Sequence, residues 1–352
     1  MTRVLVTGAT SPVGCHLVRA LLARPGIDHV LAQGANDEPC GLDSMPAERL
    51  TYRKVDMSRA REVRTLLYGP VRDLGIDVVV HTPLDGGARA HGGKVHRLNV
   101  ESTRSILAFA ESHPTVRRFV YRSSADVYRI DPGEPTMVGE AHPLALSPSA
   151  PQRVRDRLEA DITVCTRMGL APMSIAVLRL AEILAPGCSS QLHDYLRSRV
   201  CLRPLGFDPM LNVLSLDDAV RAMVLAVESD ARGVFNVPGA DTLPLSEAVR
   251  LWGRMSIPLP GPVLAPLYEW RAGVLGMQFR YDMNYRRFHF SAVLDGTRAR
   301  KVLGYEPLVP IRWPTGVRLP PPSNGEVVAG PWTVPPPPHP GDEDTSWLFP
   351  TQ

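Results

Sequence analysis

Near its amino terminus the chain reads Val4-Leu5-Val6-Thr7-Gly8-Ala9-Thr10-Ser11-Pro12-Val13-Gly14. An apolar β-type run, a glycine turn and a helical pattern, in that order, can cradle a phosphate. Backbone N–H groups converge at the helix amino terminus, and the glycines let the backbone approach the anion closely. Gly8, Thr10, Ser11, Val13 and Gly14 are the candidate contacts. Two residues depart from the pattern. Ser11 stands where a second glycine is expected and adds a side chain. Pro12 suits a first helical turn but offers no N–H, which removes one donor.

Acid–base chemistry near neutral pH needs a side chain that both gives and takes a proton. The chain has only three lysines, Lys54, Lys94 and Lys301, against thirty-six arginines. No tyrosine has a lysine four residues on. Tyr68 and Tyr195 have Arg72 and Arg199 at that spacing instead, and a guanidinium stays protonated. Ser124, in Phe119–Tyr128 (FVYRSSADVY), is the candidate hydroxyl.

The elements that must position these residues alternate over the first 180 positions. Strands are expected at Val4–Thr7, His29–Ala32, Leu50–Val55, Val78–His81, Phe119–Ser123 and Ser174–Leu180. Helical spacing falls between them, at Cys15–Leu22, Ala60–Leu67, Asn99–Glu111 and Arg153–Met168. Continuous apolar strands alternating with helices predict a parallel sheet covered on both faces. The pattern gives an α/β domain over 1–180 and a smaller domain over 181–308, whose elements interleave with the first. Asp218 is read as the cap of a helix over 219–227. From 309 the chain is a proline-rich tail. Thirteen of thirty-five prolines fall in 307–352, which predicts polyproline II or disorder. Such a tail docks a partner groove or wraps over its own domain.

Several motifs in order make the chain resemble the extended short-chain dehydrogenase/reductase family, the NAD-dependent epimerases and dehydratases. They cover roughly residues 1–308. Thr7–Gly14 is similar to TGxxGxxG, Asn99–Thr103 to NVxGT and Val177–Gly187 to LRPxNVYGPG. Asp77–Leu84 resembles the strand ending in HxAA, and FVYRSSADVY the strand carrying the active-site serine. Phe235–Gly239 and Asp295–Pro307 resemble late signatures. The resemblance implies an α/β, Rossmann-type doubly wound parallel sheet and NAD or NADP as cofactor. It makes 1–180 the dinucleotide-binding domain and 181–308 the substrate-binding domain. It places Asp56 and Met57 at the adenine, with Thr82, Asn99 and Arg157 as further contacts. No acid ends the second strand unless a loop returns Asp37, so NAD and NADP stay undivided.

The family's proton relay is a tyrosine with a lysine one helical turn on, which holds the ribose and lowers the tyrosine's pKa. Aligning Leu158-Glu159-Ala160-Asp161 puts Arg153 at the tyrosine position and Arg157 at the lysine position. On the substrate side, Ser124, Glu182 and Leu211 occupy family positions. Glu182 replaces an asparagine and Leu211 an arginine, both of which weaken a diphosphate site. Glu182 repels phosphate or pairs with an arginine. The cluster Phe279–Phe290 (FRYDMNYRRFHF) meets a ring or an acidic ligand, or covers the cleft by ordinary packing.

Bulk composition bounds the rest. Thirty-nine basic against thirty-six acidic residues argue against a nucleic-acid or membrane-surface partner. Five cysteines without CxxC spacing argue against metal and disulfide frameworks. The absence of a signal peptide pattern and of a long apolar run points to the cytoplasm. The expected partner is a small molecule such as a nucleotide sugar. The resemblance adds a homodimer through Asn99–Glu111 and Arg153–Met168. Two functions follow. One is an NAD(P)-binding sensor, scaffold or subunit without the family's ordinary catalysis. The other is an active epimerase or reductase with a rearranged site.

Overall fold

A computed structural model describes residues 2–36, 42, 45, 48–82, 92–148 and 150–316. Asp37, the last two positions of the 77–84 motif, Ser149 and the tail beyond 316 lie outside the described residues. Seven parallel strands form the central sheet: β1 (Thr2–Thr7), β2 (Ile27–Gly34), β3 (Leu50–Lys54), β4 (Val78–His81), β5 (Arg118–Ser124), β6 (Ser174–Leu180) and β7 (Gly233–Val237). Their spatial order is 7-6-5-4-1-2-3. Every neighbouring pair is parallel, the arrangement of a doubly wound α/β fold.

The apolar runs explain the layers. All seven residues of β6 and all four of β4 are buried, because helices cover both faces of a parallel sheet. On one face Leu5, Leu31, Val79, Phe119 and Ile175 pack against Val63, Leu66, Ile106, Leu107 and Val164 from the helices. Strand order reverses between β1 and β4, which opens a crevice at their carboxyl ends. Ligands of open α/β sheets bind at such a switch point.

A second set of elements follows β6. Asp241–Pro244, Met210–Leu214 and Glu182–Ile183 make a three-stranded sheet. Strands Val200–Pro204 and Met255–Leu259 pair beside helices Gln191–Leu196, Leu245–Leu251, Gly261–Leu275 and Tyr281–His289. Their core holds Tyr195, Leu211, Leu251, Tyr268, Phe279 and Phe288. The helix Gln152–Cys165 ends three residues before the sequence pattern does, ahead of Gly169 at φ +77°.

Asp218 departs from expectation. Ser215 is the cap, its hydroxyl accepting from the Asp218 N–H at 3.1 Å, and the helix runs Leu216–Glu228. The buried Asp218 carboxylate instead accepts from the N–H groups of Leu308 and Val309 at 2.9–3.1 Å. Among the described residues, no helix is long and apolar enough to cross a membrane.

Candidate active site

The glycine turn is built as its residue types require. Gly8 sits at φ +70°, where a side chain is strained. A Cβ on Gly14 would lie 2.1 Å from the Gly8 carbonyl oxygen, so the first helical turn touches the loop only because residue 14 has no side chain. Ser11 caps helix Pro12–Leu22. Its hydroxyl accepts from Gly14 N–H at 3.0 Å and donates to the Gly8 carbonyl at 2.8 Å. The Gly8 N–H is taken by the Gln33 side-chain carbonyl at 3.1 Å and the Ala9 N–H by the Gln33 backbone carbonyl. Among the described residues, the N–H groups of Thr10 and Val13 remain open to an anion.

The expected adenine side is only partly arranged. The Asp56 carboxylate accepts from Ser58 N–H and hydroxyl at 3.0 and 2.6 Å, closing a turn. Those bonds, with Arg59 at 3.2 Å, hold its pKa below the usual range against a smaller opposing push from burial. The side chain stays half exposed. Met57 is buried in the core cluster. At the end of β2, a Cβ on Gly34 would meet the Tyr52 hydroxyl and Thr10 Cγ2 at 2.4 and 2.5 Å. Thr82, just beyond β4, donates its hydroxyl to the Thr7 carbonyl at 2.5 Å. Asn99 is buried in a wide helical turn, Arg97–Glu101. Nearby His81, wedged between Thr7 and Thr103 hydroxyls, is pushed down to about 3 by burial and stays neutral.

The catalytic end is dominated by arginines. Ser124, at the tip of β5, accepts from Asp126 N–H at 3.2 Å and from Arg157 Nη1 at 3.3 Å. Arg157 also pairs with the Asp126 carboxylate. Arg153, one turn earlier on the same helix face, donates to the Ser189 carbonyl at 2.9 Å. Burial would raise the Asp126 carboxyl, but Arg157, Arg287 and Arg153 outweigh it and hold the group well below the ordinary carboxylate range. Arg153 itself is pushed down to about 10 by burial and by Arg157, which still leaves it charged at neutral pH.

Other tyrosines do not fill the relay position. Tyr68 meets Phe109 edge-on and His113 at a tilt. Tyr195 is buried and donates to the Leu202 carbonyl at 3.3 Å. Tyr128 donates to Asn236 at 2.6 Å beneath the Arg179 guanidinium, a structural contact. Among the described residues, no tyrosine or histidine is hydrogen-bonded to Ser124.

Glu182 pairs with Arg287 at 2.8 Å and accepts from Ser190 hydroxyl and Leu192 N–H. Leu211 lies in the hydrophobic core of the second lobe, paired across strands with Leu243. The expected aromatic and basic cluster does two jobs. Phe279, Tyr281 and Phe288 pack inward, while Tyr285, Arg286 and Arg287 line a cleft of about 880 Å3.

Two participants, Arg122 and Asp126, escaped the sequence reading. Arg122, two residues before Ser124, is buried and donates to the Thr82 carbonyl at 3.3 Å. Asp126 gathers Arg157 and Arg287. Arg287 comes from a helix 130 or more residues away in sequence. Arg122 and Asp126 lie in the segment FVYRSSADVY, and two charged residues beside Ser124 were the available signal. The residues Arg122, Ser124, Arg157 and Cys188 close around a void of only about 30 Å3, the space of one water.

A model of the NAD dependent epimerase/dehydratase family matches residues 4–203. The chain is 29% identical over 324 residues to an uncharacterized protein of Mycobacterium tuberculosis (strain ATCC 25618 / H37Rv), covering 89% of this chain and 81% of that one. It is 29% identical over 329 residues to the 3-diazoavenalumate denitrifying reductase of Streptomyces sp, covering 90% and 99%. The UDP-glucuronic acid 4-epimerase from Bacillus cereus, solved with UDP-glucuronic acid and NAD, shares the fold. Its TM-score is 0.64 at 20% identity, over 88% of this chain and 95% of that one. With a family match over more than half its length, this chain belongs to the NAD dependent epimerase/dehydratase family.

Proposed function

We propose that the chain binds NAD or NADP chiefly through the adenosine diphosphate half and does not run the family's ordinary proton relay. It serves as a sensor, a scaffold or a subunit. The observation that carries this is the pair Arg153 and Arg157. Both are buried and engaged, and neither can exchange a proton at neutral pH. General acid–base catalysis is worth about 10²–10⁴-fold, so losing the tyrosine removes the relay's main contribution. The open N–H groups of Thr10 and Val13, the close-packed Gly14 and the helix terminus fit a pyrophosphate.

Calorimetric titration with NAD, NADP and ADP tests the reading. Binding of a dinucleotide no tighter than ADP is expected. No binding of any of the three would overturn it. Turnover of UDP-glucuronic acid by the wild type, lost in Arg153→Tyr/Arg157→Lys, would overturn the loss of catalysis. A homodimer through the 99–111 and 152–165 helices belongs to the same reading, and light scattering in solution checks it.

The alternative is an active reductase with a rearranged site. The Streptomyces relative, named a reductase and similar over almost its whole length, favours it. A reduction whose acceptor takes hydride without needing a proton from the protein has no use for the tyrosine. NADPH consumption with the compound named for that reductase decides between the two.

A further inference from the structure

The 880 Å3 cleft has the volume of an ordinary small-molecule site. Five arginines line it, and each is already engaged. Arg129 pairs with Asp131 and Glu134, and Arg286 with Asp131. Arg287 bridges Asp126 and Glu182, and Arg179 pairs with Asp161 at 2.6 Å. Arg153 is held by the Ser189 carbonyl and a further contact, in the field of Asp126, Glu182 and Asp194. The acids are answered as well. Asp282 pairs with Arg280 at 2.6 Å, and the Glu140 carboxylate accepts from the Asn236 N–H at 3.0 Å. An anion entering the cleft would have to break one of these pairs and would meet Asp126, Asp131, Glu140 and Asp282. The uncovered surface of the cleft is apolar. Leu146 is 70% exposed and Tyr285 48% exposed, with Ile130, Leu144, Val154 and Met283 on the same walls.

We propose that this cleft takes an uncharged aromatic compound, with its ring along Tyr285, Leu144 and Leu146, and not a nucleoside diphosphate sugar. A neutral ring covers the exposed apolar surface, packs on the Tyr285 ring and leaves every ion pair intact. The proposal supplies a ligand for the sensor and the reductase readings alike and depends on neither. ADP titration reads the glycine turn and a ring probe reads the cleft, so the two fail independently.

The test uses the full chain with N-phenyl-1-naphthylamine and 1-anilinonaphthalene-8-sulfonate, which share a body and differ by one sulfonate. Fluorescence titration should show the neutral compound binding at least ~10-fold tighter than the sulfonate. Excess UDP should not displace it. Tyr285→Ala and Leu146→Asp should each weaken it by about 10-fold, the scale of one lost apolar contact surface. Leu146→Asp keeps the proposal testable if Tyr285→Ala folds poorly, because Leu146 is mostly exposed. Trp270→Ser, on an exposed position of the Gly261–Leu275 helix outside the cleft lining, should leave binding unchanged. No binding of the neutral compound, equal binding of the sulfonate, or displacement by UDP would each overturn the proposal. So would unchanged affinity in both cleft variants, or a loss in Trp270→Ser as large as theirs.

Discussion

Arg157 preserves the charge that a lysine would bring, and its contact with Ser124 keeps the hydroxyl engaged. Arg153 preserves nothing of a phenol, since its guanidinium, though pushed down to about 10 by burial, stays charged at neutral pH. The group in this neighbourhood that does titrate near neutrality is Asp194. Burial pushes its carboxyl up to about 6, with Glu182 adding to the rise and Arg197 opposing it. The folded state thus binds a proton that the unfolded chain, near ~3.9, does not. The sign follows from linkage. This contribution to stability is full below about pH 4 and is lost as pH rises through 6. Asp194→Asn should therefore stabilise the protein at pH 7 and flatten the melting-temperature profile between pH 4 and 6. Thermal melts across that window check it, and an unchanged profile would refute the assignment.

At the scale of elements, one buried ion pair ties three of them. Asp161, on the 152–165 helix, pairs with Arg179 of β6 at 2.6 Å and accepts from Ser123 of β5 at 2.5 Å. Asp161→Asn leaves Arg179 buried without its counter-charge and should cost about 3–5 kcal/mol, read from denaturant unfolding. The glycine turn is equally constrained. Gly14→Ala forces a Cβ onto the Gly8 carbonyl and should cost about 1–3 kcal/mol, together with any ADP affinity. Ser11→Gly is the counter-example. It loses a cap at a cost of only a few tenths of a kcal/mol and takes a side chain away from the phosphate position. Tighter ADP binding with nearly unchanged melting is the expected result.

At the scale of the whole molecule, the segment after Leu303 is held by acids from distant elements. Asp218 accepts from the N–H groups of Leu308 and Val309, and Asp241 from that of Ile311. Burial raises both carboxyls above the ordinary range, opposed by those backbone bonds. Asp218→Ala should release residues 305–316, seen as faster cleavage there in limited proteolysis with the central sheet still protected. Equal cleavage of wild type and variant would show that the strap is held by other contacts.

The sequence by itself determined the sheet and the glycine turn, and it carries no tyrosine with a lysine four residues on. Apolar runs of the right length, Gly8 and Gly14, and the 152–165 helix pattern are local signals, and local signals survive without coordinates. The placement of Arg153 and Arg157 beside Ser124 followed from one helix and one strand. Tertiary structure decided what surrounds them. Arg287 meets both Asp126 and Glu182 only because the second lobe folds back over the sheet ends, and no spacing rule links residues 126, 182 and 287. Leu211 looked like a ligand position and is core, because strand pairing with Leu243 turns it inward. Charge balance in a buried site depends on which distant side chains share its low-dielectric space, and that is a property of the fold rather than of any segment.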